Sequence, residues 1–236
     1  TAGKNDYVLN QIYFYLTEGC NLACRHCWLA PKFDMDGSRY PVLPVELFDT
    51  AIREAKAFGL TGVKLSGGEP LLHPRFADLL KIVRHQNLHL AIETNGLLCT
   101  PAVARDIAKS PGRFVSVSID GADAETHDRI RGVPGAFKLA QQAVRNLVAY
   151  DTRPQIIMTI MRSNADQVDD LLRMAEKMGA SSVKFNIVQP FARGKALKET
   201  FFTLNIAELI RLGRYVDTVL ASATKLPLVF DYPLAF

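Results

Sequence analysis

Three of the four cysteines lie within eight residues of one another and are the clearest candidates for chemistry. Cys20, Cys24 and Cys27 have the spacing C-x3-C-x2-C and follow the apolar residues 12–16. Three thiolates on one short loop can bind three irons of a cubane cluster and leave the fourth iron without a protein ligand. A small molecule could bind that open iron, so the remaining question is whether the chain builds a pocket above the loop.

A structural zinc ion is one alternative for these cysteines. Structural zinc has four protein ligands, commonly supplied as two separated pairs, whereas this chain has a single trio. The fourth ligand would be Cys99, from a distant segment, or His26 or His73 in its place. Ordinary buried thiols are the other alternative. The trio favours an iron–sulfur cluster, and we interpret Cys99 as a buried apolar thiol.

The composition is typical of a globular protein with a substantial core. Of 236 residues, 48% are hydrophobic and 22% are charged, and the net charge is +4. The lysines and arginines are scattered, so we expect no nucleic-acid partner. No apolar run approaches the about 18 residues of a membrane span, and the first residues lack the apolar core of a signal peptide. Crowded cysteines in such a chain favour a metal over disulfides, and a reducing cytoplasm.

Apolar runs alternate with helical patterns about six times along the chain. This alternation predicts an α/β fold, a partial (βα)6 TIM-like barrel of parallel strands with outer helices. We expect an N-terminal extension over 1–10, the core over 11–223, and over 224–236 the start of a C-terminal region that continues beyond this chain. The predicted strands cover residues 11–16, 63–66, 88–93, 114–119, 155–161 and 183–188, with a further short strand at 226–230.

Helices are expected between these strands, and their ends carry recognisable signals. Gly179 predicts the end of one helix, and Asn164 or Asp166 predicts the N-cap of that helix. Residues 28–43 contain three Pro and Gly positions and are predicted to be a loop. The predicted helices cover residues 44–58, 74–85, 101–109, 136–150, 164 or 166 to 178, and 206–223.

Polar or glycine-rich segments follow the first four predicted strands. Ligands in parallel α/β folds bind at the C-terminal ends of strands, so we expect these segments on one rim. Gly67 and Gly68 permit close backbone approach, so their carbonyls can meet an ammonium group, to which Glu69 offers a negative charge. A tight turn with a solvated Glu69 is the alternative. Ser118 and Asp120 alternate and therefore face the same way.

Together these motifs resemble the radical S-adenosylmethionine (SAM) superfamily. The cysteine trio after the first strand is similar to its cluster signature, and Gly67, Gly68, Glu69 and Pro70 match its GGEP motif. The resemblance covers nearly all of residues 11–194. It implies a [4Fe–4S] cluster on Cys20, Cys24 and Cys27 whose open iron chelates the amino and carboxylate groups of SAM. Reductive cleavage of SAM would release a 5′-deoxyadenosyl radical, which abstracts hydrogen from a substrate.

The resemblance also implies contacts between particular residues and SAM. His26 takes the place, before the third cysteine, of a usually aromatic residue that lies beside the adenine. Thr94 and Asn95 would lie near the methionyl carboxylate or the ribose, although Asn95-Gly96 is also a common turn pair. Ser118 and Asp120 would reach the ribose hydroxyls.

Later segments extend the resemblance. Arg131 would pair with the SAM carboxylate, whereas we interpret Arg129 and His127 as helix-surface or packing residues. Val188 ends the sixth strand where family members place backbone contacts to adenine. Trp28 is equally well explained by packing at the barrel mouth or by contact with substrate.

The nearest branch comprises anaerobic sulfatase-maturing enzymes and maturases of ribosomally made peptides (SPASM/twitch-type). It is indicated by residues 118–121, 127–132 and the turn predicted at 193–196. The resemblance implies a peptide or protein substrate and an electron donor such as flavodoxin or ferredoxin. Many members carry a C-terminal extension with auxiliary clusters, whereas this chain has no cysteine after Cys99. Two alternatives remain: a radical SAM enzyme acting on a small molecule such as a tetrapyrrole in haem biosynthesis, and a non-enzymatic iron–sulfur or zinc protein.

Overall fold

Seven strands pair side by side in parallel and form one sheet. The computed structural model describes residues 8–35, 39–200 and 202–231. The strands of this sheet are β1 (Gln11–Tyr15), β4 (Gly62–Ser66), β5 (His89–Thr94), β6 (Phe114–Ser118), β7 (Gln155–Ile160), β8 (Ser182–Ile187) and β9 (Leu228–Phe230). They follow the order β1-β4-β5-β6-β7-β8-β9, and within the described residues the edge strands β1 and β9 do not pair with each other. The barrel is therefore open along one side.

Helices follow the strands and cover one face of the sheet. The helix α1 packs Phe48 against Phe14 of β1, with 4.5 Å between the ring centroids. The helices are α1 (Val45–Lys56), α2 (Phe76–His85), α3 (Pro101–Ala108), α4 (Ala124–Arg131), α5 (Ala136–Ala149), α6 (Val168–Met178), α7 (Arg193–Glu199), α8 (Ile206–Tyr215) and α9 (Ala221–Ala223). Within the described ranges, no helix is long and apolar enough to cross a membrane.

The face of the sheet opposite the helices is polar. Tyr13, Lys64 and Glu93 come from three adjacent strands and line a cavity on this face. Lys64 Nζ lies 2.5 Å from Glu93 Oε1 and 5.1 Å from the centre of the Tyr13 ring. Alternation along β1, β4 and β5 thus sends apolar side chains to the helices and polar ones to the interior.

The predicted fold class, a partial (βα)6 barrel, is confirmed, and the further strand at its end is present as β9. This strand lies after residue 223, where we expect the core to end, and it extends the same sheet by pairing with β8. Most of the predicted N-terminal extension, residues 1–7, lies outside the described residues.

Several local predictions differ from the structure. The single helix expected over 206–223 is interrupted by a π-helical turn at Val216–Leu220. Residues 193–196, expected as a turn, begin α7. Within the loop expected over 28–43, Lys32–Phe33 forms a short strand, β3, that pairs with β2 (Gly19–Cys20). Neither Asn164 nor Asp166 caps α6 through its side chain, because a 3-10 turn at Ala165–Gln167 precedes that helix.

The turn after β4 is pressed against the backbone that leads into the cysteine loop. Gly68 N–H donates to the carbonyl of Thr17 at 2.9 Å, and Glu69 N–H donates to the carbonyl of Gly19 at 2.9 Å. A Cβ added to Gly68 would lie only 1.9 Å from the Gly19 carbonyl oxygen. Gly68 therefore permits the close approach that fixes the start of the cysteine loop.

We predict that Gly68→Ala lowers the free energy of unfolding by about 3 kcal/mol or more, because the backbone of the turn must move to admit the methyl group. Chemical denaturation of the two proteins measures the difference. Gly19→Ala is the matched control, since its added Cβ would meet its nearest atom at 3.4 Å, an ordinary contact. Equal losses in the two variants would show that the close approach of Gly68 is not the constraint.

Candidate active site

A cavity of about 430 Å³ opens beside the cysteine loop at the C-terminal ends of the strands. Its volume is in the range of ligand-binding sites in proteins. Eleven of the fourteen predicted site residues line it: Cys20, Cys24, His26, Cys27, Gly67, Gly68, Glu69, Thr94, Asn95, Ser118 and Arg131. The fold therefore brings together, on one rim, residues that are up to 111 positions apart in the chain.

The three cysteines differ in their exposure. Cys20 and Cys24 are buried, and Cys27 is half-buried. Burial raises the pKa of the Cys20 thiol to about 12 and also raises the pKa of Cys24. Both thiols are therefore neutral in the protein alone, and bound metal would have to stabilise their thiolate forms.

The arrangement of the thiols does not favour a mononuclear metal site. Across residues 8–35, 39–200 and 202–231, no three Cys, His, Asp or Glu side chains are placed to hold a single metal ion. Thiolates that bind different irons of one cluster have no need to converge on one point.

The cysteine loop is held by backbone hydrogen bonds to the end of α4. Ala23 N–H donates to the carbonyl of Arg131 at 3.0 Å, and Arg25 N–H donates to the carbonyl of Ile130 at 3.0 Å. These carbonyls belong to the last turn of the helix and would otherwise lack partners. The same two hydrogen bonds therefore give the last carbonyls of the helix their partners and hold the cysteine loop in place.

A second clamp on the loop comes from Arg193, at the start of α7. Its Nη1 donates to the carbonyl of Cys24 at 3.3 Å, and its Nη2 donates to the carbonyl of Pro31 at 2.8 Å. The Arg193 N–H also donates to the carbonyl of Cys27 at 3.3 Å. The segment that resembles a family turn therefore holds the loop through backbone groups, a role that the sequence did not indicate.

Glu69 connects the ends of β4 and β5. Its Oε1 accepts hydrogen bonds from the Thr94 hydroxyl at 2.6 Å and the Leu71 N–H at 3.1 Å, and its Oε2 accepts one from the Asn95 N–H at 2.8 Å. Burial nevertheless raises the pKa of Glu69 to about 7. The carboxylate that was predicted to face an ammonium group therefore also holds the ends of β4 and β5 together. Glu69 is buried, so the alternative of a solvated Glu69 is wrong.

The side chain of Asn95 points to the cysteine loop. Its Nδ2 donates to Asn21 Oδ1 at 2.7 Å and lies 3.9 Å from Cys20 Sγ, while its Oδ1 accepts from the Leu97 N–H at 3.0 Å. Asn95 therefore positions the loop and its own turn at the same time.

Asp120 and Arg131 form a buried ion pair behind the cavity wall. Asp120 is fully buried, and its Oδ2 lies 2.7 Å from Arg131 Nε. The N–H does not point along the line to this oxygen, so opposite charge rather than a linear hydrogen bond holds the pair. Burial alone would raise the pKa of Asp120, but the Arg131 guanidinium, His26 and the Thr159 N–H together hold that pKa below its usual range.

Two histidines flank this ion pair. His26 Nε2 lies 3.5 Å from Asp120 Oδ2, and His127 Nδ1 accepts a hydrogen bond from the Asp120 N–H at 3.1 Å. Burial lowers the pKa of each histidine to about 4. Both are therefore neutral at pH 7, and the His26–Asp120 contact is not an ion pair there. His127 is fully buried, as the packing interpretation expects.

Three predicted residues do not line the cavity. Pro70 is buried at the start of a 3-10 turn, and Asp120 lies behind Arg131 and His26. The Val188 side chain packs against the small apolar cluster of Ile130, Met161 and Leu197. Contact of these three residues with SAM stays a prediction.

Asn164, which the sequence predicts as a possible N-cap, has a different role in the site. Asn164 Nδ2 donates to the carbonyls of Asp120 and Thr159, at 2.8 and 2.9 Å, and its Oδ1 accepts from the Met161 N–H at 2.6 Å. It thereby fixes the turn that carries Asp120.

At the cavity mouth, Trp28 is about half exposed and meets the Tyr15 ring edge-on at 6.3 Å.

The residues present fit a cluster and SAM. Three thiols with N–H groups of Asn95 and Arg131 nearby form a suitable donor set for an iron–sulfur cluster. His26 Nδ1 is buried at the cavity wall and has no hydrogen-bond partner in the part of the chain that the structure describes. An orphaned polar atom of this kind indicates a ligand or a water in the cavity.

We predict that His127→Asn makes the protein less sensitive to acid. The pKa of His127 is about 4 in the folded protein and 6.5 as its ordinary value. Because the pKa of His127 is lower in the folded protein, the unfolded chain binds a proton at this residue more readily than the folded protein does. The free energy of unfolding is therefore at its full value above pH 6.5 and falls as the pH drops towards 4, by up to about 3 kcal/mol at about 1.4 kcal/mol per pKa unit. The Asn oxygen can still accept from the Asp120 N–H.

Denaturation between pH 4 and 8 measures this effect, and the wild type should lose more stability on acidification than the variant. His85→Asn, which removes an exposed histidine, is the control and should leave the pH dependence as in the wild type. Parallel curves for His127→Asn and the wild type would contradict the prediction.

Two curated relatives align with about three-quarters of the chain. An AdoMet-dependent heme synthase from Methanosarcina barkeri is 33% identical over 183 residues, which are 78% of this chain and 52% of the relative. Mycofactocin maturase MftC from Mycolicibacterium smegmatis is 34% identical over 181 residues, which are 76% of this chain and 44% of the relative. The chain spans about half the length of these relatives.

The fold also matches solved structures. Streptococcus suis SuiB bound to S-adenosylmethionine superposes with a TM-score of 0.79 at 18% identity, over 98% of this chain and 54% of SuiB. At this identity the likeness shows the fold alone. Residues 14–175 match the model of the Radical SAM superfamily, whose members use a [4Fe–4S] cluster and SAM. The predicted resemblance is thereby confirmed: the chain belongs to the radical SAM superfamily of enzymes.

Proposed function

We propose that this chain binds a [4Fe–4S] cluster through Cys20, Cys24 and Cys27, cleaves SAM reductively, and uses the 5′-deoxyadenosyl radical to abstract hydrogen from a peptide or protein side chain. The observation that carries the proposal is the convergence of three thiols and eight further predicted SAM-binding residues on one cavity of about 430 Å³.

The residues of the chain have separate roles in this proposal. Glu69 offers a carboxylate to the SAM ammonium, and Ser118 and His26 line the wall proposed for the ribose and adenine. The bound cluster and SAM supply the electron transfer and the radical chemistry. The protein supplies position and exclusion of water, to which the burial of Cys20 and Cys24 contributes.

A peptide or protein substrate is favoured by two of the similar proteins. MftC is named a maturase, and SuiB has been crystallised with its precursor peptide SuiA. The polar interior, with the Lys64–Glu93 pair, suits a substrate with hydrogen-bonding groups. A small molecule such as a tetrapyrrole is the second candidate, because the M. barkeri relative is named a heme synthase.

We also propose that the electron comes from a flavodoxin or ferredoxin in a reducing cytoplasm. A cluster held by three reduced cysteines requires a low-potential donor and protection from oxidation. The free state of all four cysteines agrees with such a compartment.

We predict that Cys24→Ala abolishes both cluster assembly and formation of 5′-deoxyadenosine, because two thiolates hold a cubane too weakly. After anaerobic reconstitution, iron and sulfide content report the cluster, and chromatography reports 5′-deoxyadenosine. Cys99→Ala is the matched control: Cys99 is equally buried but does not line the cavity, so this variant should keep both properties. Wild-type protein with a full cluster and a strong reductant that forms no 5′-deoxyadenosine would overturn the proposed function.

The substrate class has its own test. A hydrogen taken from the substrate enters 5′-deoxyadenosine, so a deuterated substrate should label this product. If a short precursor-peptide gene lies beside the gene for this protein, we expect labelling from the deuterated form of the peptide that it encodes. If 5′-deoxyadenosine is labelled by a deuterated tetrapyrrole and not by the peptide, the substrate is a small molecule and the peptide proposal is wrong.

A further inference from the structure

Arg131 is a buried cation next to a cluster ligand. Its side chain is 8% exposed, its Nε lies 2.7 Å from Asp120 Oδ2, and its Nη1 donates to Cys24 Sγ at 3.6 Å. The distance to sulfur is in the range of N–H···S hydrogen bonds, which are longer than those to oxygen. Arg131 therefore contacts both a carboxylate and a thiol that is proposed to bind iron.

The surroundings hold this guanidinium in place. Asp120 Oδ1 accepts from the Thr159 N–H at 2.8 Å, and the Asp120 carbonyl accepts from Asn164 Nδ2 at 2.8 Å. The Asp120 N–H in turn donates to His127 at 3.1 Å. Asp120 is thus fixed by three neighbours, one at its carboxylate and two at its backbone, so the position of the guanidinium beside Cys24 is defined by the fold.

The charge of Arg131 has an unequal effect on the two oxidation states of a cluster. Reduction adds one electron to the cluster and its thiolates, so a nearby cation stabilises the reduced state more than the oxidised one. The effect is large in a buried environment, where charges are poorly screened. The donors beside Cys20 are neutral amides, Asn95 Nδ2 at 3.9 Å and the Leu22 N–H. Arg131 thus brings a full positive charge to Cys24, whereas the donors near Cys20 are dipoles.

We propose that Arg131 is a positioning residue whose positive charge raises the reduction potential of the cluster. The negative charge of Asp120 partly offsets that effect. The inference rests on the proposed function, since it requires a cluster on the loop. It differs from the predicted role of Arg131 as a partner of the SAM carboxylate, because it acts on the cluster before SAM is present.

The test is the midpoint potential of the reconstituted cluster in the absence of SAM, followed by electron paramagnetic resonance of the reduced state. Arg131→Gln should lower the ratio of reduced to oxidised cluster at a fixed ambient potential. We expect a factor of at least about ten, the size of one hydrogen bond to a charged group, which corresponds to about 59 mV for a one-electron couple. Asp120→Asn should change the ratio in the opposite direction, because it leaves the cation uncompensated.

Arg129→Gln is the control for net charge. Arg129 is an exposed residue of the same helix, so its loss should leave the ratio within about twofold of the wild type, as expected of a solvent-screened charge. If Arg131→Gln fails to hold a cluster, Asp120→Asn alone still decides the question, since it must raise the potential.

Unchanged potentials in both variants, or shifts of the same sign, would overturn the inference. A potential that depends on Arg131 only when SAM is added would return Arg131 to its role at the SAM carboxylate. Failure of the wild-type chain to assemble any cluster would instead count against the proposed function, so the two failures are distinguishable.

Discussion

The site depends on holding an irregular loop rigid by means of its backbone. The cysteine loop has little regular structure of its own, and its amides and carbonyls need partners wherever they are buried. The turn after β4 supplies partners through Gly68 and Glu69, and the last turn of α4 supplies the Arg131 and Ile130 carbonyls. Because these contacts use backbone groups, they fix the loop and leave the three thiols available.

One helix, α4, links this mechanical constraint to the electrostatics of the site. Its terminal carbonyls hold the loop, its Arg131 side chain contacts Cys24, and its His127 accepts from the Asp120 N–H. The helix must end at Gly132, which has a φ of 75° and whose Cβ, if present, would lie 2.9 Å from the Ala23 carbonyl oxygen. A shift of α4 would therefore move both the cysteine loop and the positive charge of Arg131.

The sequence was sufficient to predict the strands and the rim, but not the contacts within the rim. Apolar runs and glycines act locally, so β4 and the turn at Gly68 could be located from neighbouring residues. The engagement of Glu69 by Thr94, and of Asp120 by Asn164, depends on pairing between strands that are distant in the chain. The π-helical turn at Val216–Leu220 likewise departs from a helical pattern that looked continuous.

The cavity is preorganised, and its main remaining response to a ligand is electrostatic. Thr94 and Asn95 already have their hydrogen-bond partners, so a ligand need not order them. Glu69 is different, because burial raises its pKa to about 7 and it is only partly ionised at neutral pH. A cationic group in the cavity would lower that pKa and complete the ionisation. Binding of a cation and release of the Glu69 proton are therefore linked, so affinity for a ligand with an ammonium group must increase as pH rises through 7.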